Sequence, residues 1–372
     1  MKVAIANPIY DVVFKYMMKR MKILFPFFIL FCIEGNAQVL SGKVFDKATG
    51  LPVYNAYVYL NGTSYYAVTN DSGTYHMNVA STINAQLIVS HLAYEQAVID
   101  DPFKKESQTI YLVEKIIEID EVAVVAKTGR FTRQQRLNAF ELQFLGNNKA
   151  RKFCKILNMD DIYLYFNETT STLSATSEQP VIIENDYLGY QIHCTLVDCK
   201  IKYFSNNTLR ARNVESVLLS CYTFFIDKEP VNPVIKKRRA EAYESSSNYF
   251  FKSLATQTLN SSKHLIYNYG SKDLLDLEQY FEIKDNGPDV LVRIKSTVDL
   301  SKVIDNLHKY PYPVSGVITV EDRAGYATNI LFLTNEFSVD MYGIVDKWDR
   351  IGLSGNMDNQ RTGSMVPLDY GY

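Results

Sequence analysis

The chain has 372 residues, a formal net charge of -2 at neutral pH, 47% apolar residues and 13% aromatic ones. Charge that close to balance argues against nucleic acid as the main partner, because neutralising phosphates takes a basic surface. The apolar content argues against a disordered chain, and the length allows two or three domains with ordinary cores.

Residues 1–16 have mixed polarity and read as an over-extended start, with translation beginning at Met17, Met18 or Met21. The segment Met17-Met-Lys19-Arg20-Met21-Lys22 is basic, Ile23 to Ile33 is apolar, and Gly35-Asn36-Ala37 offers small residues at both cleavage positions. The apolar run is well short of the roughly 20 residues a membrane span needs. Residues 1–37 are therefore expected to be a signal peptide cleaved after Ala37. Phe31 before Cys32 stands where a lipoprotein signal wants a small residue. Export would place Cys154, Cys194, Cys199 and Cys221 in an oxidising compartment. Their pairing stays open, except that Cys194 and Cys199, five apart in a strand-like run, should leave opposite faces and not bridge each other.

From Val39 to Glu114 the chain reads as short strands separated by turns. Leu40, Gly42 and Val44 alternate with Ser41, Lys43 and Phe45, and Asp46 to Pro52 breaks the run. Ala56, Val58 and Leu60 form a small apolar inner face, with Tyr57 and Tyr59 on the outer one. Asn61-Gly62 closes that strand. Tyr65 to Thr69 meets the hairpin signal Asn70-Asp-Ser-Gly73, after which Tyr75, Met77 and Val79 resume the inward alternation. Gln86 to Ser90 and Thr109 to Val113 complete a set spaced as in a sandwich, and the strands should close a core that folds without later residues.

The residues Ser41-Gly42-Lys-Val44-Phe-Asp46, Thr49-Gly50-x-Pro52, Asn61-Gly62-Thr63, Thr69-Asn70-x-x-Gly73-x-Tyr75 and Ile88-x-Ser90-x-x-x-Tyr94 carry a resemblance. They are similar to the carboxypeptidase-regulatory-like domain, a transthyretin-like β-sandwich common in exported proteins of Gram-negative bacteria. The resemblance implies a fold for residues 38–115 and no peptidase chemistry.

Glu114 to Lys127 is β-branched and gated by charge, the pattern of a strand leaving the sandwich, so residues 116–135 read as exit strand and linker. Thr132 to Phe144 places Leu137, Phe140, Phe144 and Leu145 at helical spacing and ends at Gly146. Phe144-Leu145-Gly146, Cys154-Lys-Ile-Leu-Asn158, Pro180-Val-Ile-Ile-Glu184-Asn185, Leu188-Gly189-Tyr190, Arg239-x-x-Ala242-Tyr243 and Val366-Pro-Leu-Asp-Tyr370 resemble an uncharacterised domain often found behind such a sandwich. Residues 136–372 are assigned to it, with a division near 270. The family's helix continues Gly-Ser and then His-Phe-Leu, where this chain has Ser245-Ser246 and Tyr249-Phe250-Phe251, so no role for that histidine carries over.

Strands are expected over 162–167, 172–176, 181–184, 190–197 and 217–226, and again over 265–269, 280–284, 290–296, 314–320 and 329–333. Lys309-Tyr-Pro-Tyr-Pro313 punctuates the last group. A helix opening at Pro233 carries Ala240, Tyr243, Phe250, Phe251 and Leu254 as its buried stripe. The run Lys236-Lys237-Arg238-Arg239 near its start reads as a solvated charge cluster. The fold class is thus mainly β: an N-terminal transthyretin-like sandwich followed by a larger α+β domain with antiparallel sheet and a few helices.

The residues that could carry chemistry are scattered. His76, His91, His193, His264 and His308 have no paired spacing of the kind a catalytic zinc needs, and nucleophile elbows and phosphate-binding loops are missing. Asp71 to Gly73 fits a hairpin turn better than a calcium loop, and Asp160-Asp161 and Glu184 to Asp186 are carboxylate groupings common in loops. No metallopeptidase activity, metal or cofactor is expected. The one open feature is tyrosine: 27 in the chain against one tryptophan. Tyr54, Tyr57, Tyr59, Tyr65 and Tyr66 crowd the sandwich as a candidate interaction surface, with half-exposed strands as the plainer explanation. The sequence reads as an exported, non-catalytic binding or structural protein of the periplasm or outer membrane, meeting a protein or glycan partner and reaching the membrane through it. The rival is a hydrolase with its site in the C-terminal domain. A pocket lined by Asp, Glu or His would favour the rival, and a shallow tyrosine face would favour binding.

Overall fold

The alternation of residues 39–114 does produce two facing sheets. The computed structural model describes residues 38–371 apart from 81–82, 106, 116–128, 147, 229–231, 260–263 and 296–312. The expected signal peptide, most of the exit strand, His308 and Lys309 to Tyr312 lie outside the described residues.

The sandwich comprises β1 (Gln38–Asp46), β2 (Tyr57–Leu60), β3 (Tyr66–Val68), β4 (Thr74–Val79), β5 (Leu87–His91), β6 (Tyr94–Ile99) and β7 (Ser107–Leu112). One sheet has the order β4-β1-β7, with β7 parallel to β1, and the other the antiparallel order β3-β2-β5-β6. Leu40, Val44, Val58, Leu60, Tyr75, Met77, Leu87 and Val89 fill the space between. Asp46 ends β1 by accepting the amides of Thr49 and Ala48, each at 2.7 Å, and the Tyr94 hydroxyl at 2.8 Å; these bonds hold its carboxyl below the usual range. Asn70 accepts the amides of Ser72 and Thr74 at 3.1 and 2.9 Å, which is the chemistry of a hairpin turn.

The rest of the chain builds two further cores. Helix α1 (Arg133–Leu145) opens on Thr132, whose hydroxyl accepts the Gln135 amide while the Gln135 side chain accepts the Thr132 amide. Leu137, Phe140, Phe144 and Leu145 pack against a six-stranded sheet made by β8 (Cys154–Ile156), β9 (Ile162–Asn167), β10 (Thr172–Ser177), β11 (Val181–Asn185), β12 (Tyr190–Tyr203) and β13 (Val214–Asp227). The order is β8-β11-β12-β10-β9, with β13 along the other side of β12. The last core lies among β14 (His264–Asn268), β15 (Phe281–Asn286), β16 (Asp289–Ile294), β17 (Gly316–Asp322), β18 (Ala327–Phe332), β19 (Glu336–Val339) and β20 (Ile351–Gly355). Phe250, Phe251 and Leu254 belong to it, so it begins upstream of the division near 270.

Three expectations are corrected. The helix from Pro233 is two helices, α2 (Pro233–Glu244) and α3 (Ser247–Ala255), and Ala240 and Tyr243 are only half-buried. Serines cause the break: the Ser245 hydroxyl donates to the Glu241 carbonyl, and the Ser246 hydroxyl donates to the Tyr243 carbonyl and accepts the Tyr249 amide. The basic run is not a solvated cluster throughout, because Arg239 is 7% exposed. Cys194 and Cys199 do not leave opposite faces: a bulge between Leu196 and Asp198 adds a residue to β12, resets its alternation and buries both on the core side.

Candidate functional site

The five tyrosines do not form one open face. Tyr54 is exposed, and Tyr65 packs toward the sandwich core with its hydroxyl accepting the Ala80 amide at 3.3 Å. Tyr57, Tyr59 and Tyr66 stand on the outer side of β2 and β3 and converge on Phe224 of β13, their ring centroids 5.5, 4.7 and 5.2 Å from its own. From the same sheet as Phe224, His193 stacks on that ring at 4.6 Å. Tyr59 is 1% exposed, and burial pushes its phenol above the usual range. Its hydroxyl accepts a hydrogen bond from the Gln96 amide nitrogen at 3.3 Å. What covers the aromatic face is therefore the second domain of the same chain, through tilted ring contacts of the favourable kind.

Three clasps fix that docking. At the first, the Gly62 amide donates to the Thr223 carbonyl at 2.7 Å, the Phe225 amide donates to the Thr63 carbonyl at 2.9 Å, and Asn61 Oδ1 accepts the Thr223 amide at 2.9 Å. The closing segment makes the second. The Leu368 amide donates to the Gly62 carbonyl at 2.8 Å, and Asp369 accepts both the Ser64 amide, at 2.8 Å, and the Ser64 hydroxyl. Gly62 has φ +78°, and a Cβ there would come within 2.8 Å of Leu368, so the position suits glycine on both counts. In the third, Tyr342 enters the sandwich core with no exposed surface, on a turn in which Asp340 accepts the Tyr342 and Ile344 amides at 2.9 and 2.8 Å. Burial pushes the Asp340 carboxyl up.

An open cleft of about 760 Å³ lies elsewhere, between the end of α1, the α2–α3 joint, the β18–β20 edge and the segment after β20. Its polar lining is mainly amides and hydroxyls: Gln143, Asn148, Asn356, Asn359, Gln360, Ser245 and Ser364. Lys149 and Arg361 add two cations, and Tyr326, 61% exposed, presents a ring at the rim. Among the described residues none that lines it is Asp, Glu, His or Cys. Such a lining can hydrogen-bond a hydroxylated or amide-bearing ligand, but it supplies no general base near neutral pH.

His76, His91, His193 and His264 sit on four different strands. Among the described residues no group of three His, Cys, Asp or Glu is placed to hold a metal ion.

Residues 40–124 match the CarboxypepD_reg-like domain family. The match covers the sandwich and extends past Glu114, and it says nothing of the larger domain behind. No curated protein matches the chain. Among solved structures, a 9R-lipoxygenase from Cyanothece PCC8801 is similar at 7% identity over 61% of this chain, with a TM-score of 0.17. This chain spans 49% of that enzyme's length, and a likeness so slight carries no argument about fold or chemistry.

Two features escaped sequence reasoning. One is that Asn61 to Ser64 of the regulatory-like domain and Leu368-Asp369 form a single contact, although both segments carried family resemblance. The other is the cleft, whose residues come from five separate stretches. The bulge in β12 also makes a test of the cysteines. Cys194 and Cys221 are hydrogen-bonded neighbours, and accepting that bond holds the Cys221 sulfur below the usual thiol range, while burial pushes Cys154 and Cys199 up to about 12. In the reduced native chain iodoacetamide should modify half-exposed Cys221 first and the buried pair Cys194 and Cys199 last, Cys194 being held highest by its own burial and by donating to Cys221, as followed by peptide mass spectrometry. Fastest labelling at Cys199 would refute this packing.

Proposed function

We propose that the chain is an exported, non-catalytic binding protein of the periplasm or outer membrane, and that its regulatory-like sandwich is a structural brace. The cleft at the α2–α3 joint takes the ligand, a glycan or a polar peptide segment. The observation that carries this reading is the cleft's lining of amides and hydroxyls with an exposed Tyr326 at its rim. Neutral polar groups are matched by amides acting as donor and acceptor at once, and a sugar or peptide face stacks on a tyrosine ring. The larger domain is assigned to the uncharacterised family that its sequence resembles. Export rests on the basic, apolar and small-residue order of residues 17–37.

Calorimetric titration of the mature chain with neutral oligosaccharides and with uncharged peptides tests the binding site. Tyr326→Ala should weaken the interaction about fivefold, the ~1 kcal/mol scale of one aromatic contact. Metal analysis should find no stoichiometric zinc, and peptide hydrolysis should be undetectable. Chelator-sensitive turnover restored by zinc would replace this reading with the hydrolase. Mass spectrometry of the mature N-terminus tests export; a species that retains Met21 to Ala37 would count against cleavage.

A further inference from the structure

Among the described residues β13 pairs along its length with β12 alone, and its other side is met only by the sandwich loop at Thr223 to Phe225. The β12–β13 ladder is regular on the β13 strand from Ser216 onward, because the bulge between Leu196 and Asp198 lies in β12. Backbone groups in an antiparallel ladder alternate in direction residue by residue. Thr223 and Phe225 point away from β12, since both bond the sandwich loop Asn61 to Thr63, and Val217, Leu219 and Cys221 must point the same way. Among the described residues no strand pairs with that side of Val217 to Cys221.

The bare edge also lacks the usual protection. Natural sheets guard an open edge with charge, proline or a covering element, and Val217-Leu-Leu-Ser-Cys221 has neither charge nor proline. Leu218 is 51% exposed. On the core side Val217, Leu219 and Cys221 are only partly buried, an unfinished apolar row at the margin of the sheet. The nearest upstream charge, Glu215, is held by Lys202 at 3.0 Å.

We propose that β13 of a second copy of this chain adds antiparallel to this edge, with Leu219 opposite the partner's Leu219. The edge is self-complementary in that register. Val217 meets the partner's Cys221, Leu218 meets the partner's Ser220, and no charge faces a like charge. The unfinished apolar row of one copy continues into that of the other, as isologous two-fold association requires. The interface is continuous with one already formed, because the Asn61 to Thr63 loop is itself an addition to the same edge through the parallel Thr63–Phe224 bridge. That loop occupies Thr223 and so ends the pairing at Cys221 in each copy. The two six-stranded sheets become one, with both sandwiches on the same face.

Sedimentation equilibrium of the full mature chain should give a dimer, with the Val217, Leu219 and Cys221 amides increasingly protected from hydrogen exchange as concentration rises. Leu218 and Ser220 are exposed on the outer face, so the register can be tested without touching the core. In L218E/S220E every new carboxylate faces another across the axis, and the dissociation constant should rise about 100-fold. In L218E/S220K each new carboxylate faces an ammonium, and dimerisation should return to within about tenfold of the starting chain. A mature chain that sediments as a monomer at micromolar concentration, or a dimer indifferent to L218E/S220E, would overturn the proposal.

Discussion

Residues 38–115 expressed alone are expected to show strand content without a sharp thermal transition, whereas the full chain unfolds cooperatively. Alternation closes most of the sandwich core, but Tyr342 completes it from outside, with Ile344 and Leu368 packed beside it. Losing a buried aromatic costs about 3–5 kcal/mol. A small domain holds only about 5–15 kcal/mol of net stability, at the lower end when its core is small. The deficit from Tyr342 alone is therefore comparable with what the sandwich has. Cutting the chain also uncovers Tyr59 and Ile88, 1% and 0% exposed in the whole protein. In the full chain Tyr342→Ala should lower the unfolding free energy by the same ~3–5 kcal/mol, seen as a lower urea midpoint, while Tyr342→Phe, which keeps the ring, should cost about 1 kcal/mol. An isolated segment with a midpoint equal to the full chain's would mean that the clasps contribute nothing and that the sandwich is independent.

The difference between what was legible and what was not follows from the range of each signal. Helix α1 could be placed because its apolar spacing and terminal Gly146 are local. Ile162–Asn167 and Val181–Asn185 could be placed because their alternation is local too. Short or mixed strands such as Cys154–Ile156 and Glu336–Val339 lack enough turns of pattern to stand out. At Tyr59 the alternation gave the outward direction correctly, but the cover, Phe224, comes from a strand in another domain, and nothing near Tyr59 announces it. Cys194 and Cys199 fail for a different reason. Parity arguments hold only along an uninterrupted strand, and the single extra residue at the bulge inverts the answer.

Arg239 is the position where local reading misleads most, and its replacement should be among the most costly in the chain. Within Lys-Lys-Arg-Arg it looks solvated, yet it lies one helical turn from Ile235, which packs over Gly189, and so faces the sheet. Its guanidinium donates to the carbonyls of Leu188 and Gly189 at 2.6 and 2.8 Å, pairs with Asp227 at 2.7 Å and lies 3.7 Å from the Tyr190 ring centroid. Asp227 is half-exposed, so water can replace its share, and Asp227→Asn should cost no more than about 1 kcal/mol. The two carbonyls cannot be rehydrated so easily beneath α2, and the planar fork fits them in a way an ammonium does not. Arg239→Met should therefore destabilise by about 3 kcal/mol, read as a lower urea midpoint at unchanged slope, and Arg239→Lys should recover less than half of it. If Asp227→Asn instead reproduced the whole loss, the ion pair would be the dominant bond and the carbonyl contacts incidental.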